Sequence, residues 1–222
     1  MNLVSKKEAE KAKTAKNERR YRQLCGVAKA LDLVGERWTL LIVRDLLLGP
    51  LRFSELLELE EGIGPNLLSR RLRTLVEREW VTIRKEGRAK VYALSPSGER
   101  LRPVVLALGE FGSAFMNPAD GERGRLDWFA FSLQRRIKRI PKPTTLCLVG
   151  DDGRFVVRLG PGVEVRRGSG VGIEAHVHGE LRSFARWLAF GEDWRKLAQE
   201  GALRIDGSED AVERFGAAFV EA

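Results

Sequence analysis

A chain of 222 residues that is 43% hydrophobic can build one large core or two small ones. It holds no apolar run long enough to span a bilayer, no apolar segment after its lysine-rich start that would read as a secretory signal, and only two cysteines, Cys25 and Cys147, so a disulfide framework is excluded and a reducing, cytoplasmic setting is expected. The net charge of +8 is uneven: residues 1–23 and 63–92 each carry 8 basic and 3 acidic groups, whereas residues 118–222 carry 17 and 16. A basic tail and a basic central segment beside a balanced C-terminal half suit a polyanion binder, although lysine-rich helices can also be merely solvated.

Residues Lys6 to Gln23 have charged residues and alanine but no Gly or Pro, and are expected to form a helical arm. A second helix is predicted from Gln23 to Val34, with Val27, Leu31 and Val34 on one face and Gly35 ending it. Trp38 to Leu48 is predicted as a mostly apolar helix at the centre of a core, interrupted by Thr39, Arg44 and Asp45 and stopped by Gly49-Pro50. A short helix opens at Arg52-Phe53-Ser54-Glu55, and Glu61-Gly62-Ile63-Gly64 breaks it.

Pro65 to Glu77 follows as a helix, with Pro65 in its first turn. Leu68, Leu72 and Leu75 recur at helical spacing and predict a buried stripe. Asn66, Ser69, Arg70 and Arg73 fall on the opposite side. Val81 to Arg84 and Lys90 to Leu94 read as strands, with Lys85-Glu86-Gly87-Arg88 as the turn. A helix held out by a small apolar scaffold fits the major groove of double-stranded DNA, and an adjacent hairpin reaches the flanking backbone. Asn66, Ser69, Arg70 and Arg73 are therefore the candidate base readers. Arg52, Arg84, Lys85, Arg88 and Lys90 are the candidate phosphate contacts, which fix register and carry little sequence information.

Ser95 is a predicted N-cap and Pro96 the first residue of a further helix burying Leu101, Val104, Val105, Leu108 and Phe115. This helix and 38–48 offer more apolar surface than a domain of about ninety residues covers, so the later helix, alone or with the N-terminal arm, is expected to join two protomers. The polar, turn-forming segment Asn117 to Gly124 marks a boundary. Beyond it the chain predicts a helix from Leu126 to Ile137. Strands follow at Thr145–Val149, Phe155–Leu159, Val163–Arg167, Ile173–His178 and Leu203–Ile205. Helices are expected over Gly179–Ala189 and after Ser208. The whole is an α+β chain with an arm (1–23), a helix-turn-helix domain with a hairpin wing (24–117), a linker (118–125) and a C-terminal α+β domain with a small sheet on helices (126–222).

Five ordered motifs carry a family likeness: Cys25-Gly26-Val27, Leu33-Val34-Gly35-Glu36-Arg37-Trp38, Ile42-Val43-Arg44-Asp45-Leu46, Arg52-Phe53-Ser54-Glu55-Leu56 and Leu94-Ser95-Pro96-Ser97-Gly98. Together they resemble the HxlR-type winged helix-turn-helix transcription regulators, relatives of the MarR group. The resemblance implies a dimeric, cytoplasmic, DNA-binding regulator with the helix around Ser69 in the major groove and the Arg84–Lys90 wing near the minor groove. Cys25-Gly26 stands where the family often has Cys-Pro. In some members that cysteine senses electrophiles or oxidants, a role implied here if neighbours such as Arg22 stabilise the thiolate. The competing reading is a small buried residue at a helix start.

The C-terminal part more distantly resembles sterol carrier protein type-2-like domains through Gly150-Asp151-Asp152-Gly153, the passage Ala175 to Leu188, Gly191, and Gly201-Ala202-Leu203-Arg204-Ile205-Asp206-Gly207. That likeness implies an apolar tunnel and a small hydrophobic effector, or a role in dimer contacts alone. His176 and His178 share a strand face, but no third His exists and a solvated face is the expected reading, with no metal site and no cofactor. Gly168-Ser169-Gly170-Val171-Gly172 lacks a phosphate-loop Lys and is predicted to be a hairpin turn. No nucleophile–base–acid set emerges, so enzyme activity is not expected. The alternative to a DNA-binding regulator is a carrier of hydrophobic ligands whose winged helix is a protein-interaction module.

Overall fold

The computed structural model describes residues 20–117, 123–137 and 142–219. Most of the predicted basic arm, and residues 118–122 of the expected linker, lie outside these residues. The chain divides into two compact units, 1–42 and 43–222. In the first, Arg20 to Gln23 is not helical, because Arg22 takes a left-handed conformation (φ 51°) that a continuing helix cannot accommodate. Helix α1 therefore begins later than predicted and spans Gly26–Val34. Helix α2, Thr39–Leu46, is shorter than the 38–48 span of the apolar run and crosses the division between the units.

After the end of α2, the second unit continues with helix α3 (Phe53–Leu59), an elbow, and helix α4 (Pro65–Glu77). Strands β1 (Val81–Glu86) and β2 (Ala89–Leu94) form an antiparallel hairpin, and Leu51 bridges to Tyr92 on its other edge. Leu56, Leu68, Leu72 and Leu75 are buried, as are Val81 and Val91 of the hairpin itself. The turn is tighter than expected: Lys85 and Glu86 are paired with Lys90 and Ala89, leaving Gly87-Arg88 as a two-residue loop. Gly87 has φ of +60° at the first central position, the place where such a hairpin turn demands glycine.

Ser95 caps the next helix as expected, accepting from the Gly98 N–H at 3.1 Å and donating to the Glu79 carbonyl at 2.5 Å. One long helix was expected here, but two form: α5 (Pro96–Glu99) and α6 (Arg102–Ser113). Pro103 has no N–H to extend the ladder across the break. On α6 only Val105 is buried, and the expected burial of Val104, Leu108 and Phe115 does not occur within the protomer.

The remainder is an α+β layer. Helix α7 (Leu126–Arg136) precedes strands β3 (Thr144–Gly150), β4 (Gly153–Leu159), β5 (Val163–Arg167) and β6 (Ala175–Gly179). Helices α8 (Leu181–Leu188) and α9 (Trp194–Gln199), strand β7 (Leu203–Gly207) and helix α10 (Glu209–Gly216) complete it. The sheet order is β5-β4-β3-β6-β7, with β3 and β6 parallel and the other neighbours antiparallel. Thr144 to Leu148 are all buried, as a strand covered on both faces requires. Residues 168–172 are not a hairpin turn. Because β6 pairs with β3 rather than β5, they belong to a crossover connection.

Ser95 ties the turn between α4 and β1 to the following helix through two hydrogen bonds. Ser95→Ala is expected to lower the unfolding free energy by about 1–2 kcal/mol in urea titrations. An unchanged midpoint would show that neither bond contributes.

Candidate nucleic-acid interface

Helix α4 forms because Pro65 presets its first turn and three leucines bury one side: Leu68, Leu72 and Leu75 are each no more than 1% exposed. That burial decides the orientation of everything else on the helix. Asn66, Ser69, Arg70 and Arg73 are all exposed. Arg71 is half-buried and engaged within the protein. Ahead of α4, the Arg52 N–H donates to the Glu55 carboxylate at 2.6 Å, which fixes the start of α3 and leaves the Arg52 side chain at the surface.

The wing presents Arg84, Lys85, Arg88 and Lys90, all exposed. Lys85 stands directly opposite Lys90 across the hairpin. Like charges so placed destabilise a strand pair, by roughly 0.2–1 kcal/mol. Among the described residues no carboxylate forms an ion pair with Arg70, Arg73, Arg84, Lys85, Arg88 or Lys90. Most other arginines of the second unit, such as Arg102, Arg135, Arg186 and Arg214, are paired with Glu or Asp. Arg100, Arg154, Arg182 and Arg204 also have no carboxylate partner among the described residues, so what marks α4 and the wing is six such cations on one helix and one hairpin.

The family model of HxlR-like helix-turn-helix proteins matches residues 33–120. YodB, an HTH-type transcriptional regulator of Bacillus subtilis (strain 168), is 34% identical over 94 residues, covering 41% of this chain and 84% of YodB. The chain belongs to the HxlR-like helix-turn-helix family. Another relative within reach of it, the HTH-type transcriptional regulator MT3179 of Mycobacterium tuberculosis (strain CDC 1551 / Oshkosh), is 37% identical over 98 residues, 43% of this chain and 61% of that one. The chain thus spans about three-fifths of the length of this HxlR-like relative. Among solved structures, a MarR-family protein from Porphyromonas gingivalis W83 aligns with TM-score 0.39 and 26% identity over 41% of this chain and 92% of its own. Quinone-bound YodB from B. subtilis aligns with TM-score 0.36 and 30% identity over 40% and 96%.

Cys25 is the N-cap residue of α1 and is fully exposed, so the reading of it as a buried helix-start residue is corrected. Its thiol is held below the ordinary value by the N–H groups of Ala28 and Val27, the unpaired donors of a helix start, rather than by Arg22. Cys147 is buried on β3, and burial pushes its thiol up.

In the C-terminal half, His176 and His178 are half-buried on β6, opposite Asp206 and Arg204 of β7. Among the described residues no group of three or more His, Cys, Asp or Glu is placed to hold a metal ion. An open cleft of about 580 Å³ lies at the carboxyl ends of β3 and β6, lined by Asp151, His178, Glu180, Ser183 and Arg204 among others. Its lining is polar, unlike the apolar tunnel that the sterol-carrier likeness implies. No helix among the described residues is long and apolar enough to cross a membrane.

Sequence reasoning missed one feature of this HxlR-like chain. Asp45, Glu60 and Asp127 are buried carboxyl groups gathered with Arg44, Arg125 and Arg167 where α7 and β5 meet the end of α2. The signal was present as Arg44-Asp45 interrupting an otherwise apolar helix.

The two thiols should separate cleanly in a disulfide-exchange assay. Cys25 is expected to react rapidly in the native protein, with a pH midpoint below that of a free cysteine, and Cys25→Ser to abolish that phase. Cys147 should react only on unfolding. Equal native reactivity of both thiols would contradict the helix-start assignment.

Proposed function

We propose that the chain is a sequence-specific, DNA-binding transcriptional regulator of HxlR type that acts as a homodimer on an inverted-repeat operator. The observation that carries this reading is the exposed face of α4 and the wing, where six cations have no ion-pair partner among the described residues. A like-charged Lys85–Lys90 pair is retained at a cost, and a row of phosphates is the partner that removes that cost. On α4, Arg70 and Arg73 can each donate two hydrogen bonds to a guanine edge and Asn66 can pair with adenine, with Ser69 between them. Arg52 and the wing residues Arg84, Lys85, Arg88 and Lys90 are assigned to the phosphates.

Dimerisation is supported by α6. Val104, Leu108, Phe111 and Phe115 follow helical spacing, are exposed in the protomer, and extend to Met116; Phe111 is 69% and Phe115 72% exposed. The two phenyl rings pack on each other at 5.2 Å between centroids, yet leave most of their area to solvent. A contiguous apolar stripe of this kind is a surface for a second copy of the same helix. A two-fold axis through it doubles the number of bases read and demands a symmetric operator.

Cys25 supports a sensing role in the same regulator: an exposed thiol with raised thiolate character reacts with oxidants or electrophiles such as quinones, the class of ligand seen bound to the related YodB. The polar cleft of the α+β half suits a small polar effector better than a hydrophobic one.

Selection of bound fragments from a random DNA library tests the reading, and an inverted repeat is the expected product. On the selected site, Arg70→Ala or Arg73→Ala should cost about 1–3 kcal/mol per half-site and relax the base preference at one position. Unchanged affinity in both variants would remove α4 from the interface. Arg84→Ala or Lys90→Ala should instead weaken all sequences alike and reduce the slope of log K against log salt by about 1 per half-site.

A further inference from the structure

The elbow between α3 and α4 is anchored from inside the protein by a carboxyl group. Glu60 closes α3, its N–H donating to the Leu56 carbonyl and its own carbonyl accepting from the Ile63 N–H, each at 3.1 Å. Its side chain turns inward and is 3% exposed, and Asp45 beside it is 0% exposed. One guanidinium serves both: Arg44 Nε donates to Asp45 Oδ1 at 2.9 Å and an Arg44 terminal nitrogen to Glu60 Oε1 at 2.8 Å. The same guanidinium lies 4.6 Å from the centre of the Trp128 ring on α7, so the C-terminal half covers the pair.

The remaining charged groups facing the pair are already committed. Asp127 on α7 is held by Arg125 at 3.2 Å and by Arg167 of β5 at 3.5 Å. Arg167 also donates through its backbone N–H to the Leu48 carbonyl at 2.7 Å and through its side chain to the Asp45 carbonyl at 3.4 Å. Two buried carboxyl groups thus share one cation. Asp45 Oδ2 is buried and receives no donor. A proton on Glu60 supplies the donor that Asp45 Oδ2 lacks and removes the repulsion between two buried carboxylates on one guanidinium.

We propose that Asp45 and Glu60 share a proton that locks the helix-turn-helix elbow to the α+β half, and that losing this proton releases the elbow and weakens DNA binding by α4. This rests on the DNA-binding reading above and names its regulation. Burial, with the Asp45 carboxyl alongside, pushes Glu60 up to about 8, which puts the loss of the proton in mildly alkaline solution. Once both groups are charged they repel, and Asp45 Oδ2 loses its donor. Turning Glu60 outward relieves both, and it moves the residue from which Ile63, Gly64 and the start of α4 follow.

The test compares the full-length wild type with Glu60→Gln, whose amide imitates the protonated acid. Should that variant fail to fold, Asp45→Asn leaves Glu60 titratable but removes the neighbouring carboxylate, and it should move the pH dependence to lower pH than in the wild type. Two readouts are needed. The first is the unfolding midpoint from pH 4.5 to 9. The folded protein holds the Glu60 proton to higher pH than the unfolded chain does. Wild-type stability should therefore fall as pH rises through this window, while the variant loses that component of the slope.

The second readout is affinity for the selected DNA at constant salt. Wild-type affinity should fall by up to about tenfold per pH unit for each protomer above about pH 8, and the variant should stay flat. Identical pH dependence of wild type and variant in both readouts overturns the proposal. Failure of both proteins to bind DNA at pH 6.5 overturns the DNA reading instead, and the stability comparison still decides the shared proton.

Discussion

The leucine stripe of α4 is the constraint on which the surface chemistry depends. Burying Leu68, Leu72 and Leu75 leaves one rotational setting for a thirteen-residue helix. In that setting Asn66, Ser69, Arg70 and Arg73 share the outer face. No residue on that face needs to make a favourable contact within the protein for the helix to hold its place. The scaffold can therefore tolerate unneutralised guanidinium groups and an opposed lysine pair on the wing, since the stability comes from the apolar side.

The two sides of this HxlR-like domain treat charge oppositely. Outward, the cations of α4 and the wing are exposed and have no ion-pair partner among the described residues. Inward, carboxyl groups are desolvated and clamped by arginines contributed from both halves of the second unit. Arg44 bridges Asp45 and Glu60, Arg167 reaches Asp127 and the end of α2, and Arg102 donates to the Leu47 carbonyl at 3.2 Å and to Gln134 of α7 at 2.8 Å. Polar contacts of this kind depend on geometry much more than apolar ones do. They join the α+β half to the elbow that precedes α4.

Exposure on α6 belongs to the same logic. The helix is amphipathic, but the protomer covers only Val105 of the apolar set. The stripe from Val104 to Met116 is apolar surface that a monomer gains nothing by displaying.

Much of this was legible in the order of the residues. The α4 boundaries, its buried stripe, the wing strands, the Ser95 cap and the five strands of the C-terminal half all follow from local periodicity, turn chemistry and capping, which act over a few residues. The break before Pro103 was visible in principle, and the Arg22 kink was not. Neither the exposure of Cys25 and of the α6 apolar face nor the crossover at 168–172 could be read from the chain, since each depends on which distant segment packs, or fails to pack, against it. The gathering of Asp45, Glu60 and Asp127 is the clearest case. Sequence alone established that an arginine-bearing helix lies on an apolar scaffold. Only the tertiary structure decided that three carboxyl groups, up to 82 positions apart, would share one desolvated site, because burial and charge pairing are set by packing across the whole unit and not by neighbours in the chain.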